Sequence, residues 1–229
     1  MSLFFNFFDN CQYFVVKKIY GDHNESAQVK SAIRRLFLLL PDDFVGLNVG
    51  SGKTNLHPNL KNLELSPGNG IDYVGSVTEI PCNKNSFDVV IAQEVLEHVA
   101  SPSLAIKEIS RVLKVGGYLY LQLPFIIGYH PCPNDYWRFT HEGILELLDP
   151  KKFKVVEAGM SVGPAVGFYR ILVEFIALCL SLGVGFLYKP AKLLSAIFFW
   201  PIKLLDSLLI RTIQADRISG GYYIIGLKK

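Results

Sequence analysis

A glycine turn and an acidic residue stand where two successive apolar segments end. Residues 44–49 form an apolar run that leads into Gly50, Ser51 and Gly52, and Glu64 ends the next apolar run. Glycines let a backbone approach a ligand closely. An acidic side chain at the end of the following strand can accept hydrogen bonds from the hydroxyls of a ribose. Together these features predict a nucleoside-binding crevice at the carboxyl ends of parallel strands.

Residues 129–140 hold a second concentration of reactive side chains, in a loop after an apolar segment. His130 is the first candidate for a general base, because imidazole titrates near neutral pH. Asp135 is predicted to orient His130 or to replace it as the base. The other candidates are Tyr136 for catalysis and Tyr129, Trp137 and Arg138 for substrate binding, with Arg138 pairing with an anionic group such as a phosphate. The alternative is that Trp137 and Arg138 stack on each other and only hold the loop.

Metal chemistry is not predicted from this sequence. The four cysteines are scattered without a metal-binding pair, and we expect free thiols in a reducing cytoplasm. His98 lies beside Glu94 and Glu97, where it is expected to cap or pack a helix rather than act as a base.

The order of the apolar segments predicts an α/β domain. Strands are expected at 44–49, 62–65, 72–75, 87–92, 118–123, 153–158 and 221–227, and helices at 24–40, from 102 to the Gly116-Gly117 pair, and at 142–148. Only nine residues separate Gly52 from the second strand, so we expect an irregular loop there instead of a full crossover helix.

Over residues 44–160 and 221–228 the chain resembles the class I S-adenosylmethionine-dependent methyltransferases. It is most similar to the group that includes the ubiquinone- and menaquinone-biosynthesis methyltransferases. The resemblance rests on the ordered motifs Asn48-Val49-Gly50-Ser51-Gly52, Glu64, Phe87-Asp88-Val89-Val90, Glu94-Val95-Leu96-Glu97-His98-Val99 and Arg111-Val112-Leu113-Lys114-Val115-Gly116-Gly117. It implies a Rossmann-like, mostly parallel sheet whose seventh strand is antiparallel.

The resemblance also implies S-adenosylmethionine as the cofactor. The glycine turn would hold its methionine moiety, Glu64 its ribose, and the segment around Ser76 and Val77 its adenine, where many relatives have Asp-Ala. The cofactor-binding residues implied are Asn48, Gly50, Ser51, Gly52, Glu64, Ser76, Val77, Gln93 and Glu94. Residues 129–140 are similar to a segment of bacterial methyltransferase-like proteins associated with cell-surface glycan synthesis.

An apolar insertion separates the sixth and seventh predicted strands. The segments 171–188 and 193–210 are each eighteen residues long with few charges, and each would reach about 27 Å as a helix. Lys203 and Asp206 lie in the middle of the second segment, which argues against a full membrane span. The chain has a mean hydropathy of +0.30 and a net charge of +3. The whole positive excess falls in residues 163–220, so we expect interfacial helices on an anionic membrane. The alternative is a buried helical subdomain or an oligomer contact.

These observations predict a helical segment at 1–40, a methyltransferase core at 41–162 and 219–229, and a membrane-associated insertion at 163–218. The predicted function is methyl transfer, foremost to an oxygen, on a small-molecule or lipid-linked acceptor at the cytoplasmic face of a membrane. A net charge of +3 does not indicate a nucleic-acid partner. Two alternatives remain: a non-catalytic membrane binding module that keeps the fold, and a nicotinamide-dependent oxidoreductase, which the missing third glycine disfavours.

Overall fold

The computed structural model of this protein describes residues 23–52 and 55–229, so residues 1–22 of the predicted N-terminal segment lie outside the described residues. The strands are β1 (Gly46–Val49), β2 (Leu60–Glu64), β3 (Tyr73–Val74), β4 (Phe87–Gln93), β5 (Leu113–Pro124), β6 (Phe153–Val162) and β7 (Gly221–Lys228). They form one seven-stranded sheet in the order β3-β2-β1-β4-β5-β7-β6. Neighbouring strands are parallel, except that β7 runs antiparallel to β5 and β6. The predicted sheet is therefore confirmed.

Helices cover both faces of this sheet. They are α1 (Ala27–Phe37), α2 (Pro102–Val112), α3 (His141–Leu147), α4 (Pro164–Ser181), α5 (Gly185–Phe199) and the short α6 (Asp206–Leu209). Apolar side chains of α1 pack on one face of the central strands, and those of α2 and α3 pack on the other. Strands β1 and β4 are almost wholly buried between these layers, which explains why both are continuous apolar runs.

Two helix ends differ from the sequence prediction. Helix α1 ends at Phe37 instead of residue 40, because the chain tightens into turns in which the Leu39 and Leu40 amides bond carbonyls three residues back. Helix α2 ends at Val112, before the Gly116-Gly117 pair, because Leu113 already pairs with Phe87 of β4. The two glycines instead lie in an irregularity of β5, where Gly116 has a φ of 79°.

The short connection from β1 to β2 contains no helix among the described residues, as its length predicts. Three aromatic side chains, Phe37, Phe44 and His57, pack together beside this connection instead. The His57 ring lies 5.1 Å from the Phe37 ring and 4.9 Å from the Phe44 ring, measured between centroids. The connection is thus anchored by side-chain packing.

The apolar insertion folds into a helical hairpin. Helices α4 and α5 are joined by a turn in which Leu182 and Gly183 both have positive φ, so this turn divides the predicted segment 171–188. The buried Tyr169 hydroxyl donates to the Ala196 carbonyl at 2.9 Å and ties the two helices together. Lys203 and Asp206, the two charged residues predicted to interrupt the second segment, both contact α4. Lys203 lies over the Tyr169 ring, and Asp206 accepts the Ala165 amide at the start of α4 at 2.6 Å.

Candidate functional site

The crevice lies between β1 and β4, where the order of the strands reverses. Gly50 and Gly52 follow β1, with φ of 60° and 57°. The Gly52 amide donates a short hydrogen bond to the Glu64 carboxylate at the end of β2. This contact joins the predicted glycine turn to the predicted acidic residue. A side chain at Gly52 would meet no atom within 4 Å, so open space lies beside the turn.

Two further predicted cofactor residues, Ser51 and Asn48, and the unpredicted Gly75 surround this turn. Ser51 is buried and its hydroxyl has no hydrogen-bond partner among the described residues, so it is free to bind a ligand. Asn48 is buried on β1 and donates to the Asn62 side chain at 3.2 Å. The Gly75 amide donates to the Glu64 carbonyl at 2.8 Å and brings the segment after β3 against the same residue.

Ser76 and Val77 continue that segment beyond β3. The Ser76 hydroxyl lies 2.7 Å from the Thr78 hydroxyl and also accepts the Thr78 amide at 3.1 Å, so Ser76 stabilises a local turn. The Val77 side chain is buried in the core. An open turn, an unpartnered buried hydroxyl and an acidic residue at the next strand end fit a nucleoside cofactor such as S-adenosylmethionine.

Glu94 follows β4 with a φ of 53° and turns its carboxylate into a buried polar group. The carboxylate lies 3.1 Å from His23 Nδ1 and accepts from Gln122 Nε2 at 3.2 Å. Gln93 Nε2 donates to Gln122 Oε1 at 3.4 Å. Gln93 and Glu94, both predicted cofactor residues, are therefore held by protein side chains at the floor of the crevice.

The insertion contributes charge to this group through Arg170 of α4. Burial is the largest cause of the lowered pKa of His23, and Arg170 lowers it further. Burial opposes ionisation of Glu94, but His23, Gln122 and Arg170 together lower the pKa of its carboxyl. The group thus keeps Glu94 ionised in a buried position.

The segment after β5, residues 124–140, crosses to the turn that follows β4. The Glu97 carbonyl accepts the Tyr136 amide at 2.8 Å and the Trp137 amide at 3.3 Å. Trp137 Nε1 donates to the Val99 carbonyl at 3.0 Å. The loop is therefore pinned over the carboxyl end of β4. Tyr129, Tyr136 and Trp137 are exposed on it and available to a substrate.

Asp135 and Arg138 form the centre of this loop. The Arg138 guanidinium donates to both carboxylate oxygens of Asp135, at 2.5 and 2.6 Å. It also donates to the Gly128 and Trp137 carbonyls. Arg138 holds the pKa of Asp135 well below its usual range. The pair is therefore occupied in holding the loop, by an ion pair instead of the predicted stacking of Trp137 on Arg138. Asp135 also accepts the His130 backbone amide at 2.9 Å.

Glu97, His98 and His130 meet at the edge of the crevice. His98 Nε2 lies 3.6 Å and His130 Nε2 3.8 Å from Glu97 Oε1. Burial raises the pKa of Glu97 to about 7, and the Glu97 carboxylate is the largest cause of the raised pKa of His130. Their ligand atoms lie within 4.8 Å of one another. The sequence did not indicate this group, because Glu97 stands beside His98 in the chain whereas His130 lies far from both.

Other residues of the crevice also escaped the sequence analysis. These are His23, Asn24, Gln122 and Arg170. Gln122 is a polar residue inside the apolar β5 run, and such an interruption is the one signal that could have indicated it. His23 and Asn24 precede the first strand and Arg170 lies in the insertion, so all three are far in sequence from the glycine turn and from the loop after β5.

The reversal of strand order, the glycine turn and the acidic residue after β2 define a class I methyltransferase fold. Residues 47–121 match the family model of a methyltransferase domain. The chain is 31% identical over 108 residues to the ubiquinone/menaquinone biosynthesis C-methyltransferase of a Ruegeria species, covering 46% of this chain and 38% of that protein. It is 33% identical over 63 residues to an uncharacterized methyltransferase of Schizosaccharomyces pombe, covering 28% of this chain and 23% of that protein.

A solved structure shares the fold over most of the chain. It is phosphoethanolamine N-methyltransferase 2 of Haemonchus contortus in complex with S-adenosyl-L-methionine, with a TM-score of 0.57 and 19% identity, covering 97% of this chain and 59% of that chain. This chain thus carries a methyltransferase domain with the class I fold, for which S-adenosylmethionine is the cofactor. The chain matches less than half the length of the curated relatives.

Proposed function

We propose that this protein transfers the methyl group of S-adenosylmethionine to an oxygen of a membrane-associated, lipid-linked acceptor. The observation that carries the proposal is the contact between the Gly52 amide and the Glu64 carboxylate at the point where the strand order reverses. It supports a preformed cofactor site, because backbone donors, open space and an acidic acceptor lie together there.

Orientation is the main contribution that we assign to the protein. The bound sulfonium supplies an already activated methyl group, so holding an acceptor in line can supply up to about 7–11 kcal/mol in well-oriented systems. The pinned loop 124–140 suits this role because its exposed aromatic side chains lie on a backbone that is tied to Glu97. Removal of a hydroxyl proton by His130 remains a prediction.

The cofactor assignment is tested by titration calorimetry with S-adenosylmethionine, S-adenosylhomocysteine and NADH. We expect the first two to bind and NADH to give no signal. Glu64→Ala should weaken binding by about 1–3 kcal/mol through loss of a charged acceptor. Glu146→Ala, an exposed carboxylate on α3, is the matched control and should bind like the unaltered protein. Equal affinity in all three proteins would contradict the assignment of Glu64.

The exposed apolar face of the insertion supports membrane attachment. Phe186, Phe198 and Leu208 are 80%, 76% and 70% exposed. Such a concentration of exposed apolar side chains marks an interaction surface. Among the described residues only Pro164–Ser181 is long and apolar enough to cross a membrane, and 44% of it is buried within the protein. We therefore propose that the insertion lies on the cytoplasmic face without spanning the bilayer.

An anionic membrane also agrees with the basic charge of the insertion. The likeness of residues 129–140 to proteins of cell-surface glycan synthesis supports a lipid-linked glycan as the acceptor.

Flotation with vesicles that contain anionic lipid tests the attachment. The unaltered protein should float with the vesicles, and high salt alone should not release it.

The matched variant for this experiment carries Phe186→Ser, Phe198→Ser and Leu208→Ser. It should remain in the soluble fraction while its melting temperature and cofactor affinity stay unchanged, because the three side chains are exposed. A lipid-free protein that stays monomeric in solution and never floats would contradict attachment.

A further inference from the structure

The cluster of Glu97, His98 and His130 collects three proton acceptors around one point. The Glu97 side chain is fully buried, and neither of its carboxylate oxygens has a hydrogen-bond partner among the described residues. His98 Nε2 and His130 Nε2 lie 3.6 and 3.8 Å from Glu97 Oε1, too far for hydrogen bonds. A buried carboxylate without partners is costly, so either a proton or a cation at the centre would stabilise the cluster.

The backbone fixes which ring nitrogen of each histidine carries the proton. His98 Nδ1 lies 2.5 Å from the Asn134 carbonyl oxygen, and His130 Nδ1 lies 2.9 Å from the Gly128 carbonyl oxygen. A carbonyl oxygen can only accept, so Nδ1 is the donor in both rings. In a neutral ring this leaves the Nε2 lone pair free, and both Nε2 atoms face Glu97.

Arg138 also approaches His130 Nδ1, at 3.3 Å, but this contact is longer than the one to Gly128. The same guanidinium nitrogen already donates to Asp135 at 2.6 Å and to Gly128 at 3.0 Å. Asp135 Oδ2 lies 3.5 Å from the same Nδ1 and favours a proton there. The outer hydrogen bond from a ligand histidine to a carbonyl or carboxylate is the usual support of a metal site.

We propose that Glu97, His98 and His130 bind one divalent transition-metal ion, with zinc as its representative. Two imidazole nitrogens and one carboxylate oxygen form a three-ligand set that leaves coordination positions open to a further ligand. Ligands about 2.1 Å from a tetrahedral ion lie about 3.4 Å apart, close to the spacing of these atoms. The site lies between the turn after β4 and the loop after β5.

This site is held rigidly before any ion binds. The Glu97 carbonyl accepts the Tyr136 and Trp137 amides, so the turn that carries Glu97 and His98 is bonded to the loop that carries His130. The His98 and His130 rings meet edge to face, with centroids 5.2 Å apart. The ligand role and the predicted base role of His130 exclude each other, because both need the Nε2 lone pair.

Zinc binding to the full chain, measured by calorimetry and by metal content after dialysis, tests the proposal. We expect one zinc per chain, and loss of that zinc in His98→Ala and in His130→Ala. His141→Ala, which removes a half-buried histidine on α3, is the matched control and should keep one zinc. Asp135→Asn should weaken binding about 10- to 100-fold, because Asp135 supports the His130 ring from outside.

Folding is monitored separately. His130 lies on a loop with its side chain one-third exposed, so His130→Ala should melt with a chelator present at the same temperature as the unaltered protein. Zinc should raise the melting temperature of the unaltered protein but not of the variant. Cys132→Ser excludes an adventitious thiol site and should keep the zinc. Absence of stoichiometric zinc, meaning that the cluster holds only a proton, would overturn the proposal, as would equal binding by all the variants or loss of zinc in Cys132→Ser.

Discussion

The crevice has two sides, which we call its banks, and different kinds of contact hold them. The bank formed by the glycine turn and Glu64 is held by contacts between residues close in sequence. The opposite bank is held by contacts between residues far apart in the chain. On the first, the cofactor bank, Gly52 bonds Glu64 twelve positions later. On the second, the acceptor bank (residues 94–98 and 124–140), Glu94 pairs with His23 from 71 positions away. Arg170 reaches the same buried group from the insertion.

The difference indicates how the two banks can vary. The cofactor bank depends on a short piece of backbone with a required conformation. Few other contacts are needed to bind a nucleoside cofactor. The acceptor bank is assembled from the turn after β4, the loop after β5 and helix α4, so its shape depends on how these elements pack. Substitutions in the loop after β5 can therefore change the second bank without touching the glycine turn, whereas the Val95 side chain lies against Gly50.

The largest effect is expected from a substitution at Gly50 in the cofactor bank. A Cβ atom at Gly50 would lie 2.5 Å from Val95 Cγ2, and φ there is 60°. Gly50→Ala should lower the free energy of unfolding by about 2–5 kcal/mol, from overpacking and backbone strain together. Gly52→Ala has similar φ but open space, and should cost only about 1–2 kcal/mol. Urea unfolding of both variants measures this, and equal losses would show that the Val95 contact is unimportant.

A smaller effect is expected from breaking the acceptor bank. Arg138→Met leaves the Asp135 carboxylate, whose side chain is only 1% exposed, without its bidentate partner. We expect a loss of about 2–4 kcal/mol, less than for a fully buried pair because Arg138 is partly exposed. Hydrogen exchange should accelerate at the Tyr136 and Trp137 amides while affinity for S-adenosylmethionine stays the same. Unchanged exchange at these amides would mean that other contacts hold the loop.

The smallest effect is expected from a substitution at Arg170, which tests the electrostatic link between the insertion and the acceptor bank. Arg170 lowers the pKa of the buried His23, after burial itself, so Arg170→Met should raise that pKa. An NMR titration of the His23 ring measures it, and His57, which lies in the β1–β2 connection, is the internal reference. A His23 titration that does not move would mean that the insertion is electrically separate from the crevice.

Local patterns in the sequence determined the sheet and the cofactor bank. Apolar runs mark the strands, and the buried strands β1 and β4 read as continuous apolar segments because both of their faces are covered. The glycine turn and Glu64 could be recognised because they follow two successive strands, and parallel strands place their carboxyl ends at one edge. Helix ends were less well predicted, because pairing of Leu113 with Phe87 ended α2 before its glycines.

Only the tertiary structure decided the roles on the acceptor bank. The sequence showed that His130, Asp135 and Arg138 lie together, but their bond geometry assigned Asp135 and Arg138 to each other and turned His130 toward Glu97. Glu97 and His130 are separated by strand β5 and helix α2 in the chain, and no periodic pattern links them. Folding brings such distant groups together because apolar burial fixes the strands and helices that carry them, and the polar side chains then meet where those elements end.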